Sequence, residues 1–221
     1  MPINTKKFTF GEELANAISH VSGAALSAAG LVLLIIKASK FGGSLEIVCA
    51  TIFGATMVLM YTFSGIMHWL PVGKGKKLFL KFDQIGIFLL IAGTYTPFAL
   101  LAMKGTIGWW VFGIEWGLAV AGILYRSIEK AKIEGNVSLF YVIVYILMGW
   151  LIIFDIKHLY MVIGLGGFIF LIGGGLFYTL GVIFFRMHKV KYHHLVWHIF
   201  VILGTLMHFF AVYWYVLPSG K

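Results

Sequence analysis

Three histidines from two distant parts of the chain have the residue type and spacing of a metal site. His194 and His198 are four residues apart, so a helix places them on one face, about 6 Å apart along its axis. His68 lies far from them in sequence, near the end of a long apolar run. Histidine is the commonest protein metal ligand, and three imidazoles without a fourth protein ligand suit zinc in an open site. We therefore predict that His68, His194 and His198 bind zinc.

Two further polar residues could take part in hydrolysis at such a site. A water in the open position of a zinc site has a pKa near about 7 and becomes a nucleophile. Asp83 could act as its general base or hold it as a hydrogen-bond acceptor. Ser64, one turn before His68, could orient the water or donate to a developing oxyanion. Asp83 and Ser64 are thus the candidate catalytic residues.

A plainer interpretation of the same residues stays open. An HxxxH pair occurs easily at a membrane boundary, and interfacial histidine and aspartate side chains can simply be hydrated. The metal site gains support because His68 and Asp83 are expected at the same end of the molecule as His194 and His198.

The composition places these residues in a membrane protein. Of the 221 residues, 61% are apolar and only 11% are charged, and the mean hydropathy is +0.97. Too little polar surface remains to cover a water-soluble globule of this length. The chain is predicted to be a single multi-pass membrane domain over residues 1–221.

The apolar runs predict an all-α bundle of seven transmembrane helices. Inside lipid every backbone group must bond within its own segment, and the runs lack the alternation typical of barrel strands. Glycines at GxxxG spacing (Gly113, Gly117) and the run Gly173 to Gly175 predict close packing between helices. The predicted spans are 17–36, 45–70, 83–103, 107–125, 137–155, 159–185 and 193–216.

The distribution of basic residues predicts the orientation. Twelve of the 17 Lys and Arg residues fall on the side of the amino terminus and five on the other side. The positive-inside rule then places the amino terminus in the cytoplasm and the carboxyl terminus outside. The twelve are Lys6, Lys7, Lys74, Lys76, Lys77, Lys81, Arg126, Lys130, Lys132, Arg186, Lys189 and Lys191; the five are Lys37, Lys40, Lys104, Lys157 and Lys221.

Several classes of function and partner are disfavoured. The net charge of +9 comes from residues between apolar runs rather than from a basic stripe with interleaved aromatics, so nucleic acid is not an expected partner. The short connections leave little surface for a soluble protein partner. Cys49 is the only cysteine, so no intrachain disulfide can form. The amino-terminal segment lacks the order of a cleaved signal peptide, and the first span is expected to be retained.

Some buried or interfacial polar residues have no assigned role. Glu115 falls near the middle of a predicted span, where a carboxylate is functional or neutralised by default. His20 could face the metal cavity or be a hydrated end residue. His208 lies about 15 Å beyond His198 along the helix and is expected to be buried and hydrogen-bonded elsewhere. His158, His188 and His193 are expected to be solvated.

Four segments in order resemble the hemolysin III branch of the progestin and adiponectin receptor family. They are EELANAISH (12–20), SxxxH (64–68), FDQIGIFLLIAGTYTP (82–97) and HLVWHIFVILGTLMH (194–208). The resemblance covers nearly the whole chain and implies seven helices with a cytoplasmic amino terminus, in the inner (plasma) membrane of a bacterium. It also implies zinc bound by His68, His194 and His198, with Asp83 beside the zinc-bound water. Gln84 departs from the family, whose bacterial members often carry histidine there.

Three functions are compatible with these features. The first is a zinc-dependent hydrolase acting on an amide or ester of a membrane lipid, in line with the alkaline ceramidases of the wider superfamily. The second is a cytolytic protein, as the family name indicates, although isolated polar residues do not line a pore. The third is a receptor or regulator of membrane state in which zinc is structural.

Overall fold

The computed structural model describes residues 8–129 and 138–219, and within these ranges the chain is helical and contains no strand. The all-α prediction is confirmed for this part of the chain. The helices are α1 (Phe10–Phe41), α2 (Ser44–Trp69), α3 (Lys74–Pro97), α4 (Gly105–Ile128), α5 (Leu139–Gly149), α6 (Ile156–Arg186) and α7 (His193–Ala211). A π-helix, Phe98–Met103, continues α3; a 3₁₀-helix, Leu151–Asp155, joins α5 to α6; a π-helix, Val212–Val216, continues α7.

Some residues used for the sequence predictions lie outside the described ranges. They are Lys6, Lys7, Lys130, Lys132 and Lys221 from the charge count, and Val137 at the start of the predicted fifth span.

Six helical stretches in the described ranges are long and apolar enough to cross a membrane, where the sequence predicted seven. Five of them match single predicted spans. The remaining stretch, Leu139–Arg186, is 48 residues long and contains both the predicted spans 137–155 and 159–185. Short helical connections between α5 and α6 replace the loop that the sequence was expected to place there, so seven separate helices of spanning length are not confirmed.

The 48-residue stretch is not straight. Gly164 inside α6 has φ 66° and ψ −179°, a backbone conformation open essentially to glycine alone. Trp150 Nε1 donates to Thr179 Oγ1 at 3.0 Å, although the two residues are 29 positions apart. The chain therefore returns on itself between them.

Two helices begin earlier than the sequence predicted. α1 begins at Phe10 instead of residue 17, because Thr9 and Glu12 form a capping box in which each side chain accepts from the other's backbone N–H. α3 begins at Lys74 instead of residue 83, because a helix satisfies its backbone beyond the hydrocarbon while lysine side chains reach water. Asp83 therefore does not open its helix; it lies in the third turn.

The core of the bundle lies on α2 and α3. α1 packs along α2, α2 along α3, and α6 along α7. On α2, the side chains of Phe53, Met57, Met60 and Tyr61 are buried. Because antiparallel neighbours bring the end of one helix beside the start of the next, the end of α2 lies near the starts of α1, α3 and α7. The predicted ligands lie at this end of the bundle.

The glycine prediction is confirmed in one place and wrong in another. A Cβ at Gly175 would lie 3.7 Å from the Trp150 ring, and Gly173 and Gly174 lie against Met207 and His208, so this run permits close packing. Gly113 and Gly117 have no neighbour within 4 Å of a Cβ, because they lie on the exposed face of α4.

Candidate metal centre

The structure brings His68, His194 and His198 together at one end of the bundle. One ring nitrogen from each residue lies within 4.8 Å of the others. The ring centroids are 5.1 Å apart for His68 and His194, 5.0 Å for His68 and His198, and 4.6 Å for His194 and His198. His68 and His198 are buried and His194 is half-buried. Three imidazoles at this spacing could hold a metal ion.

His68 is oriented by a carboxylate from α1. Its Nδ1 lies 2.7 Å from Oε2 of Glu13, and the other Glu13 oxygen forms an ion pair with Lys76 at 2.8 Å. A carboxylate can only accept, so Nδ1 carries the proton and Nε2 keeps its lone pair. Nε2 is buried and has no hydrogen-bond partner among residues 8–129 and 138–219. This is the arrangement in which a carboxylate fixes a metal-binding imidazole.

His198 is oriented in the same way by a hydroxyl from α1. Its Nδ1 lies 2.9 Å from Oγ of Ser19, whose single proton is donated to the backbone oxygen of Asn16 at 2.8 Å. With the hydroxyl proton on the Asn16 carbonyl, Nδ1 donates to Oγ and Nε2 keeps its lone pair. In this arrangement of protons, His68 and His198 each keep one ring nitrogen for a divalent cation.

The two candidate catalytic residues lie beside the histidines. Ser64 is 1% exposed and lies one turn before His68 on α2. Asp83 on α3 is half-buried, faces Ser64 and His68, and lines the same cavity. Their geometry is compatible with the predicted roles, which stay predictions.

His20, whose role the sequence left open, is part of this cluster. Its ring stacks on His198 with centroids 3.4 Å apart and planes 12° apart, and it meets Tyr61 edge-on at 5.0 Å. It is 2% exposed, and neither ring nitrogen has a partner in the described parts of the chain. His20 is therefore not a hydrated end residue; it supports the buried face of His198.

The sequence analysis did not identify Glu13 and Ser19 as residues that orient the histidines. The sequence does contain a signal for a helix that includes them, because Thr9 and Glu12 have capping-box spacing and predict a helix from residue 10. On such a helix Glu13, Asn16 and His20 share one face. Glu12 also accepts from the backbone N–H of Tyr192 at 2.9 Å, which ties the start of α1 to the start of α7.

The remaining histidines fall outside the cluster. His208 is buried and its Nε2 bonds to the Leu171 carbonyl at 3.0 Å, which confirms the expectation for this residue. The expectation for His193 was wrong: it is 4% exposed and its Nδ1 bonds to the Phe184 carbonyl, because the turn before α7 folds it against α6. His158 pairs with Asp155 at the other end of the bundle.

A cavity of about 1060 Å³ begins at the histidines and runs into the bundle. Lys76 and Lys77 lie at its mouth, and His208 lies at its deep end. Arg126 also lines it and is 4% exposed; its Nη1 pairs with Glu129 at 3.2 Å, while its Nε has no partner in the described ranges. The cavity is larger than the usual 300–1,000 Å³ of small-molecule sites.

Glu115 lies apart from this site. It is fully buried on α4, and neither carboxylate oxygen has a partner within residues 8–129 and 138–219. The carboxyl group is thus enclosed without an ion pair.

Helices of spanning length around a buried histidine cluster define a multi-pass membrane protein with a candidate metal centre. The model of the Haemolysin-III related family matches residues 8–209, and the chain belongs to that family. This confirms the resemblance drawn from its motifs.

Named relatives support the same assignment. The chain is 44% identical to Hemolysin-3 of Bacillus cereus, covering 95% of this chain and 94% of that protein. It is 41% identical to the Hemolysin-3 homolog of Bacillus subtilis (strain 168), covering 94% and 96%. It is 28% identical to the monocyte to macrophage differentiation factor of Homo sapiens, covering 79% and 73%.

Proposed function

We propose that the protein is a zinc-dependent hydrolase that cleaves an amide or ester bond of a membrane lipid. One observation carries the proposal: ring nitrogens of His68, His194 and His198 lie within 4.8 Å of one another, and Asp83 faces His68. Glu13 and Ser19 orient two of these rings. The three histidines line a cavity of lipid size.

The residues present fit a zinc ion. His68 has a buried ring nitrogen with a lone pair and no partner in the described chain, and His194 and His198 bring nitrogens within 4.8 Å of it. Three imidazoles leave a coordination position open, as in catalytic zinc sites. When bound, zinc supplies Lewis acidity and lowers the pKa of a coordinated water.

The protein residues divide the chemistry between them. Asp83 takes a proton from the attacking water as its oxygen adds to the carbonyl carbon, and Ser64 donates its one hydroxyl proton to Asp83 and so orients the carboxylate. As the C–N or C–O bond breaks, Asp83 returns that proton to the leaving nitrogen or oxygen. Water adds as OH to the acyl carbon and as H to the leaving group, so the hydrolysis balances.

The cavity supports a lipid as the substrate. It is lined by apolar side chains such as Ile91, Val182 and Val201, which suit an acyl chain. Arg126 and Gln84 line the part near Asp83; Gln84 is 5% exposed and its amide oxygen has no partner in the described ranges. Polar groups with unused hydrogen-bonding capacity suit the lipid's head group.

The experiment is lipid turnover by purified protein with controlled metal. Removing metal with a chelator should abolish hydrolysis and adding zinc should restore it. His198→Ala should be inactive with or without zinc, while His158→Ala, which changes a histidine outside the cluster, should keep full activity. Turnover that is indifferent to chelation, or to His198→Ala, would exclude the proposal.

We infer that the chain crosses the membrane seven times and that the 48-residue stretch Leu139–Arg186 crosses it twice. Trp150 and Thr179 are in contact, and Gly164 lies about midway between them, so the two arms each run about 21 Å in opposite directions. Residues 139–163 and 165–186 are each long enough for the roughly 30 Å hydrocarbon core. Seven crossings leave the two termini on opposite sides.

From the charge distribution we propose that the amino terminus and the candidate metal centre lie on the cytoplasmic side of the plasma membrane. Reporter fusions test this arrangement. An alkaline phosphatase fused to the carboxyl terminus should be active in a bacterium, and one fused near residue 130 should be inactive. Activity at both places would contradict an odd number of crossings.

Cytolysis is a second candidate, favoured by the names of two relatives, Hemolysin-3 and Hemolysin-3 homolog. Dye release from liposomes by purified protein tests it. Release that persists after chelation and in His198→Ala would assign lysis to the bundle rather than to the metal centre.

A further inference from the structure

The deep end of the large cavity is closed by a thin layer of side chains. A second cavity of about 30 Å³, room for about one methylene group or water, lies immediately beyond it. Residues that line both cavities form the partition between them, which we call the floor. The floor consists of Thr94, Tyr95, Gly149, Trp150, Gly175 and His208.

Hydrogen bonds between helices hold the large floor residues in place. The Tyr95 hydroxyl donates to the Gly149 carbonyl at 3.0 Å and accepts from the Ile152 N–H at 2.8 Å. The Trp150 indole N–H donates to Thr179 and the His208 ring bonds to Leu171, each at 3.0 Å. A floor fixed by four such bonds cannot yield easily to a longer ligand.

The floor lies at a defined depth below the metal centre. His198 and His208 both line the cavity and are ten residues apart on α7, which corresponds to about 15 Å along the helix. An extended hydrocarbon chain of about 12 carbons covers this distance.

We propose that the floor is a length gauge that limits the acyl chain of the bound lipid to about 12 carbons. The inference rests on the proposed function in one respect, because the acyl chain is that of the lipid whose carbonyl group lies at the histidines. It names the substrate class further, as a lipid with a medium-length acyl chain.

Two glycines in the floor allow its height to be changed. A Cβ at Gly149 would meet nothing within 4 Å, and one at Gly175 would lie 3.7 Å from the Trp150 ring, so a leucine can start at either position without a backbone clash. A leucine there would raise the floor by about three carbons. Trp150→Leu has the opposite effect, because it shrinks the partition and joins the two cavities.

The experiment measures binding rather than turnover. Purified protein in a steroid-based detergent is titrated with saturated fatty acids of about 8 to about 20 carbons, each displacing a fluorescent fatty acid. Affinity should increase about fourfold per carbon and stop increasing near about 12 carbons. We call the chain length at which affinity stops increasing the break. Gly175→Leu and Gly149→Leu should move the break to chains about three carbons shorter, and Trp150→Leu should move it to chains about two carbons longer.

Gly113→Leu is the matched control. It adds the same side chain at a glycine that also has nothing within 4 Å, but on the exposed face of α4. A break that is absent from the wild type, that stays in place in all three floor variants, or that moves equally in Gly113→Leu would overturn the proposal.

The length gauge and the hydrolase can fail separately. In His68→Ala the break should stay at the same chain length even if overall affinity falls, because the floor does not involve the metal ligands. A break without lipid turnover would refute hydrolysis alone, and turnover without a break would refute the gauge alone.

Discussion

The carboxylate of Glu13 lies 2.7 Å from Nδ1 of His68, although the two residues are 55 positions apart and belong to different helices. This contact puts the proton on Nδ1 of His68 and leaves Nε2, which is buried and has no partner in the described ranges, for a metal ion. Lys76 neutralises the second oxygen of the same carboxylate. The start of α1 is therefore part of the candidate metal centre without supplying one of its three histidines.

Glu13→Gln should weaken zinc binding by about 10- to 100-fold, because an amide holds the His68 ring less firmly and lowers its basicity. Competition with a chromophoric chelator measures the affinity. Glu46→Gln, which changes a half-buried glutamate at the other end of α2, is the control and should bind zinc as the wild type does. Equal affinities for both variants would mean that Glu13 does not support the site.

Ser19→Ala should have a smaller effect on zinc affinity. It removes the acceptor for His198 Nδ1, a neutral hydrogen bond of about 1 kcal/mol, which corresponds to about fivefold. Ser127→Ala is the control. It removes an exposed hydroxyl that donates to the Ile123 carbonyl of its own helix, α4. A loss as large as that of Glu13→Gln would show that the serine does more than fix the tautomer.

Arg126→Gln should reduce the affinity for a lipid with an anionic head group by about tenfold or more, because charge-assisted hydrogen bonds are lost inside the cavity. Binding of an alkyl phosphate and of the matching alkyl alcohol is compared. Arg186→Gln removes the same charge from an exposed position and should leave the preference intact. If both arginine variants lose the preference for the phosphate equally, the preference reflects the net positive charge of the protein and not a contact with Arg126.

Glu115→Gln should raise the thermal unfolding midpoint by a few degrees. The carboxyl group is fully buried without a partner in the described ranges, and an amide of the same size cannot ionise there. Differential scanning fluorimetry in detergent measures the midpoint. A lower midpoint would mean that the carboxyl group has a role in the fold that an amide cannot fill.

Gly164→Ala should cost about 1 to 2 kcal/mol of stability, because its φ of 66° with ψ near 180° suits essentially glycine alone. A Cβ there meets no atom within 4 Å, so the cost is one of backbone strain. Gly113→Ala has equal space and ordinary helical dihedral angles, and should not destabilise the protein. Chemical unfolding of both variants tests whether Gly164 makes the turn between the two arms.

The sequence located the helices better than it located their ends. Hydropathy marks where apolar residues begin, and it therefore placed the start of α1 at residue 17 and of α3 at residue 83. The helices continue beyond those positions, since capping by Thr9 and Glu12 and the reach of lysine side chains to water stabilise helical turns outside the hydrocarbon. Glu13 lies in the region that hydropathy leaves out.

The sequence by itself determined that the chain is an all-helical membrane protein and that His68, His194 and His198 lie at one end of it. Composition and the spacing of apolar runs suffice for this, because lipid permits few alternatives to the helix. Only the tertiary structure decided which nitrogen each histidine presents, how deep the cavity runs and that residues 139–186 form one folded-back stretch. These properties depend on contacts between side chains up to about 180 positions apart, such as Ser19 with His198, and the local pattern of residues does not encode them.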